Sequence, residues 1–405
     1  MGEASFDAGG SANKVPFDLK PLMFQVFACT MAMTAFTALA GPIGKELRLA
    51  PWQMGLAVTI AGIAWMLLSR PWGIASDRHG RRPVLLWGLA GFAVSYALLC
   101  LFVALALRGW VPALAAFAGI VLLRGISGGF YAAVPTAGNA LIADHVSAER
   151  RAGAMAGLGM ASGASMVVGP AVAALLAPRS LDLPLQVLAL LPVLALAVLW
   201  KALPRVEASH ALHEMSPPRL NDPRLRRPVL LSLVCMFGVS VAQIVVGFYA
   251  IDRLGLSSQE GARVAGIALT CVGVAFTLAQ MAVRLSRWAP ETLIRLGTAV
   301  AGLGFLAVST VGSAPALWLC YFVAASGMGL VWPSISALAA NAVAPHEQGA
   351  AAGTVAAAQG LGLILGPVVG TALYGAEVSA PYLMVGLMLL ALVPLGQGRL
   401  AEKKA

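Results

Sequence analysis

Long apolar runs recur along the whole chain, and they limit the folds that the sequence can adopt. The stretch 83–107, PVLLWGLAGFAVSYALLCLFVALAL, has no Asp, Glu, Lys or Arg and is long enough to cross a hydrocarbon layer as a helix. Only 11% of the 405 residues are charged and 59% are hydrophobic. In lipid the backbone must satisfy its own hydrogen bonds, so only helices and closed β-barrels can span. Because the runs lack two-residue alternation, the sequence predicts an all-α membrane protein.

Twelve transmembrane helices fit the order of the apolar runs. We expect them at 19–42, 52–75, 83–107, 112–143, 150–177, 181–203, 228–251, 259–285, 290–312, 314–343, 348–376 and 378–398. The longest polar segment between them is rich in proline and charge, as linkers are. The predicted organisation is a six-helix bundle at 1–203, a linker at 204–227 and a second six-helix bundle at 228–405.

The basic residues predict the orientation of the chain in the membrane. Lys and Arg accumulate in cytoplasmic segments, and most of them lie on the side of the N-terminus when the spans alternate. Both termini are therefore expected in the cytoplasm, with the protein in a bacterial inner membrane. A pI near 9.8 then has an explanation that needs no nucleic acid.

An internal repeat relates the two halves. Pro135 ends the segment GFYAAVP, and Pro333 ends MGLVWP 198 positions later. The pair 169–170 (Gly-Pro) recurs at 366–367 after nearly the same interval. Two repeat-related bundles with a cavity between them are the architecture of many secondary transporters.

A dense group of charges separates the second and third spans, in the segment GIASDRHGRRP (73–83), which we call the charge knot. It resembles the G-x-x-x-D-R-x-G-R-R signature of the major facilitator superfamily, at the position that the family gives it. The residues that match are Gly73, Asp77, Arg78, Gly80, Arg81 and Arg82. The resemblance covers essentially the whole chain and implies a major facilitator fold.

The resemblance also implies a role for the acid in the knot. In the family, Asp77 would lie under the N-terminus of the eleventh helix, near Gln348, where a helix dipole favours a carboxylate. Asp144, at the end of the fourth span, would pair with Arg78 or Arg81. Together these contacts would hold the cytoplasmic side shut while the outer side is open.

Two further motifs are similar to those of drug:proton antiporters within this superfamily. The segment RGISGG (124–129) matches the fourth-span arginine pattern, and GASMVVGPAVAA (163–174) matches the fifth-span glycine-proline motif, with Ser165 in place of a glycine. The residues expected to allow close helix packing are Gly169, Pro170, Gly366 and Pro367.

Polar residues inside the spans are the candidates for coupling or substrate contact. Arg124 is the sharpest, because a midspan arginine must face a cavity or a partner. The other candidates are Asn139, Gln243, Tyr249, Trp332 and Asn341. No Asp or Glu lies in the middle of a span, which favours neutral or anionic substrates, including siderophores, over cations. The proton site is left open among Asp77, Asp144 and Asp252.

These observations predict proton-coupled efflux of a small amphipathic compound, with import or facilitated diffusion of a nutrient as the alternative. Catalysis is not expected: the G-x-S-x-G match at 125–129 would need a strand-turn-helix elbow, and all five histidines lie in loops. The five cysteines form no CxxC pair, so no metal or cofactor is expected. The expected partners are a small-molecule substrate, protons and the lipid bilayer, with the protein acting as a monomer.

Overall fold

The computed structural model describes residues 18–146, 148–203, 222–285, 288–344 and 347–396, whose regular structure is helical throughout. The helices are α1 (Lys20–Glu46), α2 (Pro51–His79), α3 (Arg81–Leu107), α4 (Ala113–Tyr131), α5 (Ala133–His145), α6 (Ala148–Leu176), α7 (Leu183–Ala202), α8 (Arg226–Leu254), α9 (Ser258–Leu285), α10 (Pro290–Val308), α11 (Ala314–Asn341), α12 (Gln348–Ala376) and α13 (Ala380–Ala391). Short 3₁₀ turns occur at Pro223–Leu225 and Val393–Gly396. Most of the predicted linker, up to residue 221, lies outside the described residues.

The predicted all-α membrane fold is confirmed. Within the described ranges, eleven helical segments are long and apolar enough to cross a membrane, with α4 and α5 counted together. The last predicted span, 378–398, is shorter than expected: an apolar helical segment covers Ala380–Leu395. The protein is therefore an integral membrane protein.

The fourth predicted span, 112–143, is confirmed as one apolar segment at Ala113–Ile142, and it is divided into two helices. Helix α4 ends at Tyr131 and α5 begins at Ala133. Pro135 lies four residues after Tyr131 and has no N–H to donate to the Tyr131 carbonyl, so one helical hydrogen bond is missing there. Pro333, at the matching place in the repeat, lies inside the continuous helix α11.

The helices pack in two groups. Helices α1–α7 (the first group) contact mainly one another, and so do α8–α13 (the second group). The main contacts between the groups pair α2 with α12, α6 with α9, and α1 with both α8 and α9. We call the end of the molecule that carries the charge knot the motif end. The opposite end, where α1 ends and α2 begins, is the far end.

The two groups approach closely in the half of the molecule nearer the far end. A Cβ atom built on Gly41 of α1 would lie 2.5 Å from the backbone nitrogen of Phe248 in α8. A Cβ on Gly266 of α9 would lie 2.5 Å from the carbonyl oxygen of Pro170 in α6. Only glycine fits at these two positions, because backbone atoms of the other group occupy the space of a side chain.

We predict that Gly41→Ala prevents the two groups from closing at the far end, because the added methyl group collides with the Phe248 backbone. Spin labels on Glu46→Cys and Glu377→Cys, one exposed residue from each group, should then report longer distances than in the parent protein. Both measurements require a background in which the five native cysteines are replaced.

Gly375→Ala is the matched control, since this helical glycine of α12 has no neighbour within 4 Å of an added Cβ. Its distance distribution should equal that of the parent. An unchanged distribution in Gly41→Ala would show that this contact does not hold the far end closed.

Candidate functional site

The charge knot lies where α2 ends and α3 begins, and Gly80 is the single residue between the two helices. Gly80 has a φ of 91°, in the left-handed region that glycine adopts without a steric penalty. This conformation reverses the chain within one residue. As a result, Asp77 in the last turn of α2 meets Arg81 in the first turn of α3.

Arg81 binds two carboxylates at once. Its Nη1 donates to Asp77 of α2, and its Nε donates to Asp144 Oδ2 of α5 at 2.9 Å. Gly73 lies beside α5 near this cluster, and a Cβ there would make an ordinary van der Waals contact of 3.5 Å with Thr136 Cγ2. The two predicted acids are therefore brought together on Arg81, the second of the two partners expected for Asp144.

The other arginines of the knot have different surroundings. Arg82 Nη2 donates to the Trp200 carbonyl oxygen at 2.9 Å and lies 6.0 Å from the Trp200 ring centroid, which joins α3 to α7. Arg78 is exposed. Thus the contacts of Arg81 and Arg82 tie together four helices of the first group.

The start of α12, where the sequence predicted a contact with Asp77, is held within the second group instead. Glu347 accepts from Arg224 Nη1 at 2.9 Å and from Arg224 Nη2 at 3.0 Å, and Arg224 also binds Asp222. In the described part of the chain, the hydrogen bond of Asp77 is with Arg81. The cross-group contact of Asp77 stays a prediction for the other conformation, in which the groups would meet at the motif end.

A cross-group ion pair lies at the far end, and no sequence motif had paired its members. Lys45 Nζ, in the last turn of α1, donates to Asp252 Oδ1 of α8 at 2.6 Å. Tyr374 OH of α12 donates to Asp252 Oδ2 at 2.7 Å. Among the ion pairs within the described ranges, this is the one that joins the two groups. The internal repeat could have indicated this pair, because Lys45 and Asp252 each lie at the end of the first span of their half of the chain.

Arg124 is buried inside the first group. Its side chain is 2% exposed, its guanidinium carbon lies 4.5 Å from the centroid of the Phe36 ring, and its Nη1 lies 3.1 Å from Met33 Sδ. Both neighbours belong to α1. No carboxylate of the described residues forms an ion pair with Arg124, whose Nε also has no hydrogen-bond partner. The guanidinium is stabilised by a cation–π contact, worth about 0.5–2 kcal/mol.

Tyr249 packs inside the second group and does not reach a cavity in this conformation. It is fully buried, its OH donates to the Val308 carbonyl oxygen at 2.5 Å, and its ring packs edge-on against Tyr382 at 4.9 Å. Its predicted contact with substrate therefore stays a prediction for a conformation in which these contacts open.

The remaining candidates are at least partly accessible. Asn139 and Asn341 are exposed, and Gln243 and Trp332 are half-buried. Trp332 lines a pocket of about 250 Å³ between α11 and α12, in the half of the molecule nearer the motif end. This pocket is the candidate substrate site in the second group.

The glycine-proline motif of the first group makes one contact within that group and one with the second group. A Cβ on Gly169 would lie 3.0 Å from the Met31 carbonyl oxygen, so the glycine allows α6 to pack on α1. The carbonyl oxygen of the next residue, Pro170, is the atom that faces Gly266 of the second group.

The repeat of the motif in the second group makes the same two contacts. A Cβ on Gly366 would lie 2.9 Å from the Phe237 carbonyl oxygen of α8, and a Cβ on Gly55 of α2 would lie 2.5 Å from the Pro367 carbonyl oxygen. In both halves the glycine packs within its group and the proline carbonyl meets a glycine of the other group.

Comparison with known proteins gives a family and named relatives. The sequence model of the Major Facilitator Superfamily matches residues 22–367. The tetracycline resistance protein, class G, of Vibrio anguillarum is 29% identical over 345 residues, which cover 80% of this chain and 81% of that protein. The quinolone resistance protein NorA of Staphylococcus aureus (strain Mu50 / ATCC 700699) is 22% identical over 382 residues, or 92% and 94% of the two chains.

A solved structure with the same fold is that of a single-residue mutant of the nucleoside transporter NupG. It superposes with a TM-score of 0.73 and 15% sequence identity, over 94% of this chain and 98% of that chain. At this identity the likeness concerns the fold alone.

We predict that Asp252→Asn shifts the protein away from the conformation that is closed at the far end, because it removes the charge that Lys45 binds. The two side chains are 32% and 27% exposed, so solvent screens the pair and its contribution should be about 0.2–1 kcal/mol. The ratio of closed to open protein should fall by up to about fivefold. The same spin-label pair, at 46 and 377, measures this ratio.

The charge-exchanged double variant Lys45→Asp/Asp252→Lys should recover part of the closed population. Lys201→Met, which removes an exposed lysine at the motif end, is the control and should have no effect. The free energy of closure changes in each single-substitution variant and in the exchanged variant. If the change in the exchanged variant equals the sum of the two single changes, the ion pair contributes nothing to closure.

Proposed function

The chain belongs to the Major Facilitator Superfamily, and from that premise we propose that it exports a small amphipathic organic compound in exchange for protons. Membership makes it a transport protein rather than an enzyme. The G-x-S-x-G match at 125–129 lies in the apolar helix α4, where the Ser127 hydroxyl donates to the Arg124 carbonyl oxygen.

The direction of transport is proposed from the curated relatives. Both are named for resistance to an antibiotic, and resistance by a transporter requires that the compound leave the cell. The proposed substrate is a drug-like molecule or a siderophore. Import of a nutrient remains the second candidate, since the fold is shared with a nucleoside transporter.

One observation of the structure carries the alternating-access part of the proposal: the two groups touch in the half of the molecule nearer the far end. With the motif end in the cytoplasm of a bacterial inner membrane, as the Lys and Arg distribution predicts, this conformation offers the pocket beside Trp332 to the cell interior. An exporter loads its substrate from that side and an importer releases its substrate there, so the proposed direction rests on the relatives. The proposed partners are the substrate, protons and lipid, with no nucleic acid, and the proposed state is a monomer.

The cross-group ion pair restricts which acid can carry the coupled proton. A proton antiporter takes up a proton from outside the cell. It must then close its outer side before it can release that proton inside. Asp252 helps to close the far end in its charged form, since it then binds Lys45. A proton on Asp252 would oppose closure, so we assign to this residue a role in gating and not in proton transport.

Arg124 is the proposed coupling residue of the first group. Its contacts are with Phe36 and Met33 of α1, and α1 is also the helix that meets the second group through Gly41. Movement of α1 between conformations would therefore change the surroundings of a buried charge. A cation without a carboxylate partner also gives the interior a positive potential, which disfavours cationic substrates.

Everted membrane vesicles test the proposed function, because their cytoplasmic face is turned to the medium. Wild-type protein should accumulate a neutral or acidic drug-like compound when a proton gradient is imposed and should lose it when the gradient is collapsed. Asp77→Asn should leave the amount of protein in the membrane nearly unchanged but reduce accumulation strongly, because the predicted motif-end contact would be lost. Asp77→Glu should be intermediate.

The controls separate export from import. Accumulation in right-side-out vesicles only would support the nutrient importer, and the absence of any gradient-driven flux would contradict proton coupling. If Asp77→Asn accumulates the compound at the wild-type rate, Asp77 has no role in gating, and the charge knot serves only to orient the chain in the membrane.

We predict that Arg124→Ala is folded but nearly inactive, and that Arg124→Lys is impaired. Lysine keeps the charge but loses the planar group that lies over Phe36 and reaches Met33 at the same time. Wild-type protein should confer protection against neutral and acidic amphiphiles or metal chelators rather than quaternary ammonium dyes. Efficient ethidium efflux that is undiminished in Arg124→Ala would refute both the sign of the potential and the role of this arginine.

A further inference from the structure

The pocket between α11 and α12 has an uncharged lining. Four of its residues carry polar groups, namely Trp332, Ser336, Gln348 and Gln359. The others are four alanines and one valine. With a volume of about 250 Å³, the pocket is slightly below the range of roughly 300–1,000 Å³ that is usual for drug-sized ligands. It can therefore hold part of such a molecule.

The polar groups of this pocket have no hydrogen-bond partner among the residues that the structure describes. These groups are the amides of Gln348 and Gln359, the Ser336 hydroxyl and the Trp332 indole N–H. Other hydroxyls on the same helices are satisfied: Ser334 donates to the Leu330 carbonyl oxygen at 2.8 Å. The four groups together offer donors and acceptors that remain free for a ligand.

The charges nearest in sequence do not change the electrostatic character of the lining. Glu347 precedes Gln348, but both of its carboxylate oxygens accept hydrogen bonds from Arg224. Arg224 in turn binds Asp222. These three groups together carry one net negative charge at the start of α12, but none of them lines the pocket, so the lining itself is uncharged.

We propose that this pocket binds the uncharged, hydrogen-bonding part of the transported compound: an aromatic ring that carries amide, hydroxyl or carbonyl groups. The ring packs against Trp332 and the small apolar side chains, and the two glutamine amides bond to its polar substituents. Gln359 then determines specificity, because it lies within α12 and presents a neutral amide where a charged residue would select ions. The role of the pocket in transport rests on the proposed function, whereas its binding preference does not.

Binding to purified protein in detergent tests the proposal independently of transport. The probes are chloramphenicol, a neutral nitroaromatic compound whose side chain carries an amide and two hydroxyls; ethidium, a cation; and carboxyfluorescein, an anion. Wild type should bind chloramphenicol most tightly of the three. Gln359→Leu should weaken chloramphenicol binding roughly tenfold, because its amide hydrogen bonds are lost. Gln359→Glu should shift the preference to ethidium, and Gln359→Lys should shift it to carboxyfluorescein.

Gln186→Glu is the matched control, since it places the same charge on the exposed surface of α7 and should leave all three affinities unchanged. Exchange of preference between Gln359→Glu and Gln359→Lys is a result that a merely structural role for Gln359 would not produce. The proposal is overturned if wild type binds none of the probes, or if the Gln359 variants keep the wild-type preference.

Vesicle transport of the same probes separates this proposal from the proposed function. If the Gln359 variants change binding preference but wild type accumulates nothing under a proton gradient, the pocket stands and proton-coupled export fails. If wild type exports a probe and the Gln359 variants export it equally well, export stands and the pocket does not determine specificity.

Discussion

This conformation depends on close packing of backbone against backbone. The packing occurs at glycines in the half of the molecule nearer the far end. In lipid no hydrophobic effect drives two helices together, so the groups are held by van der Waals contact, which requires small residues. The proline carbonyls at the repeat-related positions 170 and 367 face Gly266 of α9 and Gly55 of α2, which lie on corresponding helices of the two halves. The same motif that packs each group internally therefore also shapes its surface toward the other group.

In an alternating-access transporter, closure of this kind must also be reversible. The ion pairs at the two ends of the molecule differ in whether they join the two groups. The Arg81 cluster lies within the first group, where its two carboxylates join α2, α3 and α5 into one unit. The Lys45–Asp252 pair crosses between the groups but is partly solvated, so it is worth only about 0.2–1 kcal/mol. Such a pair biases the equilibrium without fixing it. The internal cluster allows the first group to move as a body.

Much of the fold followed from the sequence because apolar length and proline position are local properties. The all-α membrane architecture needed only the long apolar runs, and the repeat was visible at Pro135 and Pro333. A kink or a hinge was expected at both prolines. That Pro135 interrupts its helix and Pro333 does not was not predicted, since proline disturbs a helix at the carbonyl four residues earlier only when packing permits. The sequence left open whether Tyr249 packs between helices or contacts substrate, because the direction of its side chain depends on neighbours distant in sequence. The Lys45–Asp252 pair joins residues 207 positions apart, so no local pattern could reveal it, and only the repeat places both charges at the end of a first span.

The two groups share one topology but differ in the polar chemistry of their interiors. The first holds the Arg124 guanidinium, which is shielded by Phe36 and Met33 and is 2% exposed. The second offers neutral amides, an indole and a hydroxyl that face an open pocket. A buried cation acts over several ångströms at low dielectric, whereas neutral groups act only at contact distance. In the proposed function, the first group excludes cations from the interior without touching the substrate, and the second recognises the shape and hydrogen bonds of what enters. The proposal thus assigns selectivity by charge and selectivity by contact to different halves of the repeat.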